Sequence, residues 1–270
     1  MSRAIHDIEF TSIQGNALLL DLYLPEAQTD LRPVIMWIHG GAWLHGDKAH
    51  CPSVITGMTA CGYAVASINY RVSSEAIFPA QLVDCKAAVR WLRAAAKEYQ
   101  LDPAHIGVAG DSAGGHLAAM LGTTGATREF DLGEQLEQPS HVQAVADFYG
   151  PTDMLTMAFP TSQIAHDAPD SPESLLIGGP LQECREQARA ASPTHYVHSA
   201  CPPFLISHGD SDTLVSTQQS VILYEALCAA GVDATLRIVS GAWHDFGAVN
   251  DQAVTEKFFD QHLKMSLDPV

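Results

Sequence analysis

The 270-residue sequence predicts an α/β fold: a central, mostly parallel sheet covered by helices on both faces. Two patterns lead there. Short apolar runs bounded by Gly or Pro recur along the chain, and Val34–Ile38 is apolar at every position. Such runs fit strands buried on both faces rather than strands with one wet side. Between the runs lie stretches with helical periodicity, and strands alternating with helices build a parallel sheet.

The elements follow in order. Strands are expected at Ile8–Thr11 and at Leu18–Leu24, the second ended by Pro25, and this opening pair is expected to run antiparallel. Further strands are expected at Val34–Ile38, Ala64–Ile68, Ile106–Ala109, Val145–Phe148, Phe204–Ser207 and Leu236–Val239. Leu82, Cys85, Val89, Leu92, Ala96 and Tyr99 recur every three or four residues and mark one face of a helix. Ser112–Gly122 is apolar almost all round, as a helix packed centrally on a sheet would be. Val221, Tyr224, Leu227 and Cys228 form the next stripe, closed by Gly231, and Val254, Phe258, Phe259 and Leu263 mark a last helix. Only Pro151–Pro203 breaks the alternation. It has no strand pattern and is rich in Pro, Ser and Asp. It reads as a cap-like insertion, residues 151–203, within one domain spanning residues 1–270.

Composition narrows the function. Lys and Arg number 14 against 31 Asp and Glu, a formal charge of −17. Phosphate backbones and anionic bilayers are repelled by such a surface, so neither nucleic acid nor membrane is an expected partner. No charge-free apolar stretch of about 18 residues appears, and Met1–Asp7 lacks the apolar core of a secretion signal. The six cysteines show no CxxC spacing. Free thiols in a reducing compartment, hence a cytoplasmic location without metal, are the expectation.

Two motifs carry chemistry. Gly110-Asp111-Ser112-Ala113-Gly114 follows the expected strand Ile106–Ala109 and opens a helix. That strand–turn–helix setting suits a nucleophilic serine on a sharp turn, where side chains at positions 110 and 114 would clash. The helix start offers positive potential to a developing oxyanion. His39-Gly40-Gly41-Ala42-Trp43 follows the strand Val34–Ile38, and its glycines leave backbone N–H groups free to point into a site.

These pieces, with Tyr70-Arg71, Phe78-Pro79-Ala80, His208-Gly209-Asp210-Ser211-Asp212 and Gly241-Ala242-Trp243-His244-Asp245-Phe246, resemble α/β-hydrolase esterases of the hormone-sensitive-lipase and acetyl- and feruloyl-esterase-like groups. They span nearly the whole chain in that family's order. One departure is Ala42, where lipase-like members carry a third Gly; the HGG-x-W form is also similar to the arylformamidase group. The resemblance implies an α/β-hydrolase fold with a Ser-acid-His order. Asp210 and Asp212 both follow the strand Phe204–Ser207; the resemblance puts the acid at Asp212 and leaves Asp210 to shape the loop. His244 follows the last strand and is the expected base. Ser112 is then the nucleophile, and the N–H groups of Gly41, Ala42 and Ala113 form the oxyanion hole. Asp111 is expected to be structural.

Among the other histidines, His39 is expected to prop the oxyanion loop and His116 to be a satisfied core residue. His195, His198 and His208 are candidates to line the pocket, and Trp43 and Trp243 to wall it. The reading is a cofactor-free carboxylic-ester hydrolase for short acyl or aryl esters of small molecules. Arylformamidase activity, on N-formyl-kynurenine, is the alternative with the same triad. A non-catalytic ligand receptor on the same scaffold would lack a triad member, and all three are here.

Overall fold

The computed structural model describes residues 3–26, 30–244 and 252–264. Strands β1 (Arg3–Ile13), β2 (Asn16–Leu24), β3 (Arg32–Ile38), β4 (Ala64–Ile68), β5 (Leu101–Asp111), β6 (Ala144–Phe148), β7 (Phe204–Gly209) and β8 (Ala234–Val239) form one sheet in the order β1-β2-β4-β3-β5-β6-β7-β8. The pair β1–β2 is antiparallel and the sheet is mostly parallel, as the sequence predicts; β2–β4 is antiparallel as well. Every predicted strand is present, most of them longer than its apolar run.

The helices are α1 (Ser53–Thr56), α2 (Ala80–Ala94), α3 (Ala96–Tyr99), α4 (Ala113–Thr123), α5 (Pro172–Ile177), α6 (Arg185–Ala190), α7 (Thr217–Ala229) and α8 (Gln252–Leu263). Strand β3 explains why both sheet faces need cover. Val34, Met36 and Ile38 pack into one core with residues of α2, α4 and α7, while Ile35 and Trp37 pack into a second with Ile55, Met58 and Phe259. The alternation of the strand sends successive side chains into different cores, so every residue must be apolar. Helix α4 lies at the centre of the first core and is buried at every position.

Two helices differ from their apolar stripes. Of the predicted stripe, Leu82, Cys85, Val89 and Leu92 are buried on α2, while Ala96 and half-buried Tyr99 fall on α3 after a break at Ala95; Lys86, Arg90 and Arg93 of α2 are buried as well. Arg93 donates to the carbonyls of Pro103, Pro139 and His141 at 2.7–3.0 Å. The buried loop carbonyls need donors, and these cations supply them. On α7 the buried residues are Gln219, Ser220, Leu223 and Leu227, whereas Cys228 is exposed. The stripe read from Val221, Tyr224, Leu227 and Cys228 is therefore rotated. Gln219 and Ser220 turn inward because each has a buried hydrogen-bond partner there.

The segment 151–203 contains no strand among its described residues. It carries α5, α6 and two short 3-10 turns, Met154–Thr156 and Pro193–Tyr196. Met154, Met157, Leu176 and Leu181 join the first core. Gln219 fastens the start of the segment: its Oε1 accepts from the N–H groups of Thr152 and Asp153, at 2.8 and 2.7 Å. Farther along, the Gln163 N–H donates to Thr213 O at 2.8 Å, next to Asp212.

Candidate active site

The loops after β3, β5, β7 and β8 leave the same, C-terminal edge of the parallel sheet, where open α/β sheets bind ligands. At the end of β5 the chain reverses into α4 through Ser112, whose φ of 52° and ψ of −118° lie outside the regions a side-chain-bearing residue prefers. Its N–H donates to Phe148 O at 2.8 Å, which pins the turn to β6. The flanking glycines are sterically required. A Cβ at Gly110 would stand 2.3 Å from Gly114 O, and one at Gly114 would stand 2.0 Å from Ile38 O. The first N–H groups of α4, Ala113 among them, have no carbonyl within the helix to bind.

The turn after β3 adjoins that helix start, since Gly114 lies against the carbonyls of Ile38 and His39. Gly41, Ala42 and Trp43 all have positive φ, 114°, 55° and 57°. The turn closes when Gly41 O accepts from the N–H groups of Leu44 and His45 at 3.0 and 3.2 Å. Asp111 holds its base: the Gly40 N–H donates to Asp111 Oδ1 at 2.8 Å, tying the glycine turn to the elbow. His39 stacks on Tyr70 at 4.5 Å, its Nδ1 lies 2.7 Å from Gly40 O, and Tyr70 Oη donates to His39 O. Burial pushes the His39 ring below its usual range, so it stays neutral and donates from Nδ1.

Trp43 is not a pocket wall. It is 1 % exposed, and its Nε1 donates to His116 Nδ1 at 3.1 Å. The indole is drawn inward because buried His116 offers an acceptor beneath the turn, and His116 Nε2 in turn donates to Ala191 O at 2.7 Å. Burial pushes the His116 pKa down to about 4, which keeps the neutral tautomer this bridge needs. Trp243 is 64 % exposed and directly precedes His244.

At the other side of the edge the two aspartates separate. Asp212 is buried, and its Oδ1 accepts from the N–H groups of Leu214 and Val215 at 2.8 and 2.9 Å. Its Oδ2 lies 2.7 Å from His244 Nδ1. His244 Nε2 lies 2.8 Å from Ser112 Oγ. Nδ1 faces a carboxylate and so carries the hydrogen, which leaves Nε2 to accept from the serine hydroxyl. Burial raises the Asp212 carboxyl, but hydrogen bonds from His208 and His244 outweigh it and hold the group well below the usual carboxylate range. Tyr149 sets its ring edge-on to His244 at 4.8 Å. Asp210 is exposed and accepts from the Gly241 N–H at 2.6 Å, bracing the loop that delivers His244.

His208, read from sequence as a pocket-lining candidate, is instead fully buried beneath Asp212, with Nε2 at 3.0 Å from Asp212 Oδ2. His195 packs edge-on to Tyr196, and His198 Nδ1 accepts from the Ala200 N–H. Asp111 and His208 make hydrogen bonds to the glycine turn and to Asp212 that a motif reading underrates. Asp111 had a signal in its place beside the serine, and His208 had only its place at the end of a strand. Among the described residues no group of three or more His, Cys, Asp or Glu is arranged to hold a metal ion.

The BD-FAE family profile matches residues 20–227. The chain belongs to the BD-FAE family. As a BD-FAE protein it shares the α/β-hydrolase fold of solved esterases. It is similar to a truncated carbohydrate esterase from gut microbiota, with 34 % identity, a TM-score of 0.86 and 96 % of each chain covered. An acetyl ester-xyloside bifunctional hydrolase from Caldicellulosiruptor lactoaceticus is 25 % identical at a TM-score of 0.78, covering 94 % of this chain and 95 % of the other. The esterase LipC of Mycobacterium tuberculosis is 31 % identical over 233 residues, 85 % of this chain and 57 % of LipC. LipQ, an esterase of the same organism, is 32 % identical over 221 residues, 80 % of this chain and 51 % of LipQ. The BD-FAE chain thus spans about half the length of the curated relatives it matches. Among the described residues no helix is long and apolar enough to cross a membrane.

Proposed function

We propose that the chain is a serine carboxylic-ester hydrolase that cleaves short-chain acyl or aryl esters through Ser112, His244 and Asp212. One observation carries the reading: two short hydrogen bonds run in series from Ser112 Oγ through His244 to Asp212, with the serine at a helix start. The esterase names of the relatives and structural neighbours support the choice of bond.

In this mechanism Ser112 Oγ attacks the ester carbonyl carbon while His244 Nε2 takes the hydroxyl proton. The carbonyl oxygen becomes an oxyanion bound by the N–H of Ala113 and those of Gly41 and Ala42. Each such donor is worth about 3 kcal/mol in comparable sites. The tetrahedral intermediate collapses, the C–O bond to the leaving group breaks, and His244 returns the proton to the departing alkoxide. Water, deprotonated by His244, then attacks the acyl carbon, the C–O bond to Ser112 breaks, and His244 returns the proton to Ser112 Oγ as the carboxylic acid leaves. Asp212 stays ionised throughout, holds the Nδ1–H tautomer and stabilises the imidazolium.

Residues 151–203 act as the wall of the acyl pocket in this proposal. Their bond to Thr213 and their share in the core make a fixed wall rather than a mobile lid, which suits short acyl groups. Exposed Trp243 is assigned to the leaving-group side. A cytoplasmic location is proposed on the sequence argument of unpaired thiols. The test is an initial-rate comparison on p-nitrophenyl acetate and N-formyl-kynurenine, with Ser112→Ala as the blank. Efficient ester turnover with negligible deformylation is expected; deformylation at equal or better efficiency would overturn the ester assignment.

A further inference from the structure

We propose that His208 is a positioning residue for the active site: clamped by Ser220, it holds Asp212 in place for His244. The proposal rests on the Ser112–His244–Asp212 reading above.

The hydrogen bonds fix the role of Nε2. His208 Nε2 faces two acceptors, Asp212 Oδ2 and Val215 O, each at 3.0 Å. It must therefore carry the hydrogen and donate. On the far side of the ring His208 Nδ1 is hydrogen-bonded to Ser220 Oγ at 2.7 Å. Ser220 is buried on α7, and the His208 side chain has no exposed surface. Asp212 is thereby approached by two Ser–His arms, Ser112–His244 through Nδ1 and Ser220–His208 through Nε2. The Ser112 arm is open to solvent at His244 (18 % side-chain exposure), whereas the Ser220 arm is sealed.

The sealed arm has a physical task. Oδ1 of Asp212 is fixed by two backbone N–H groups, but without His208 the only side-chain partner of Oδ2 among the described residues is the His244 imidazole, which moves through its protonation cycle in the proposed mechanism. A second, immobile donor on Oδ2 keeps the carboxylate in plane and satisfies a buried charge. Asp147 on β6 interacts with His208 through charge, and Tyr149 meets it edge-on at 6.4 Å. Ser220 sits where an apolar residue would otherwise complete the α7 stripe, and this contact accounts for its inward position.

The experiment measures kcat and KM on p-nitrophenyl acetate, per enzyme molecule titrated with a reactive phosphonate, for His208→Leu, His208→Gln, Ser220→Ala and Ser112→Ala. Thermal melts run alongside. His208→Leu is expected to lose roughly 10- to 100-fold in kcat with KM within about twofold, because an outer-shell donor is gone. His208→Gln, whose amide N–H can reach Oδ2, is expected to recover most of that loss. Ser220→Ala, a mild substitution that keeps the fold accessible even if His208→Leu fails to fold, is expected to lose about threefold to tenfold in kcat, on the order of one neutral hydrogen bond. Wild-type kcat in folded Ser220→Ala or His208→Leu, with only the melting temperature lowered, would overturn the proposal. So would a His208→Gln variant as slow as His208→Leu. Hydrolysis retained by Ser112→Ala would instead overturn the catalytic reading beneath it, so the two failures are told apart.

Discussion

The two halves of the site are built by opposite means. Ser112 is held by backbone: a positive φ, two glycines that admit no Cβ, and an N–H bonded to the next strand. Asp212 and His244 are held by hydrogen bonds to their side chains: a connected set through Ser220 and His208 on one side, and the Leu214 and Val215 N–H groups on Asp212 Oδ1. In the proposed mechanism the nucleophile Ser112 must not move, and backbone sterics leave it no alternative rotation of the chain. The proposed base must turn slightly between accepting and donating a proton, and a hydrogen-bonded imidazole on a fixed carboxylate allows that. On that proposal rigidity is placed in the chain at the site of attack, and in hydrogen bonds where protons move.

Substitutions can break this contrast in order of effect. Asp212→Ala is expected to lower kcat by roughly 10³- to 10⁴-fold with an intact fold. Asp210→Ala, which removes the exposed acceptor of the Gly241 N–H and the Ser211 hydroxyl, should stay within about threefold; steady-state kinetics on the pair checks both. Equal losses would erase the distinction between the two carboxylates. Gly114→Ala should act on the backbone side instead. Its methyl would press on Ile38 O, and unfolding in urea is expected to show a loss of about 2–4 kcal/mol together with activity. Asp111→Ala sharpens the picture, since it frees the Gly40 N–H without touching the serine. Here kcat is expected to fall about tenfold, less than the loss of a whole oxyanion donor.

The smallest expected effect concerns Asp147, which touches both halves. It accepts from the Gly150 N–H at 2.9 Å, and a Cβ at Gly115 would meet its Oδ1. Burial raises its pKa to about 6 from an ordinary 3.8, and its Oδ2 meets no donor among the described residues. A carboxyl raised in the folded state contributes its stability below the ordinary value and loses it as pH rises through about 6. Asp147→Asn imitates the protonated acid. It should therefore melt higher than the wild type at pH 8, by at most about 3 kcal/mol, and the gap should close by about pH 4. Melting curves at the two pH values check the sign.

The sequence made the backbone half legible and the side-chain half only in part. Gly110 and Gly114 announce the elbow because few residues fit there, and the apolar runs announce the strands because both faces are covered. Ser112 and His244 are expected from motif and order and Asp212 from the family resemblance, and the structure brings the three within hydrogen-bonding reach. Trp43 misled because an aromatic beside a glycine turn can face either way, and only the buried acceptor on His116 decides which. Ser220 and Gln219 were hidden because an apolar-stripe reading assigns polar residues to solvent. Their inward placement depends on partners in distant loops, His208 and Thr152, which no local pattern reveals.

The most direct measurement of the central claim is covalent trapping. The wild-type protein and Ser112→Ala are incubated with a p-nitrophenyl phosphonate, and the adduct is located by peptide mass spectrometry. The expected result is one phosphonyl group per chain, on the peptide containing Ser112, formed together with loss of esterase activity and absent from Ser112→Ala. An adduct on another residue, or ester hydrolysis that survives stoichiometric labelling of Ser112, would contradict it.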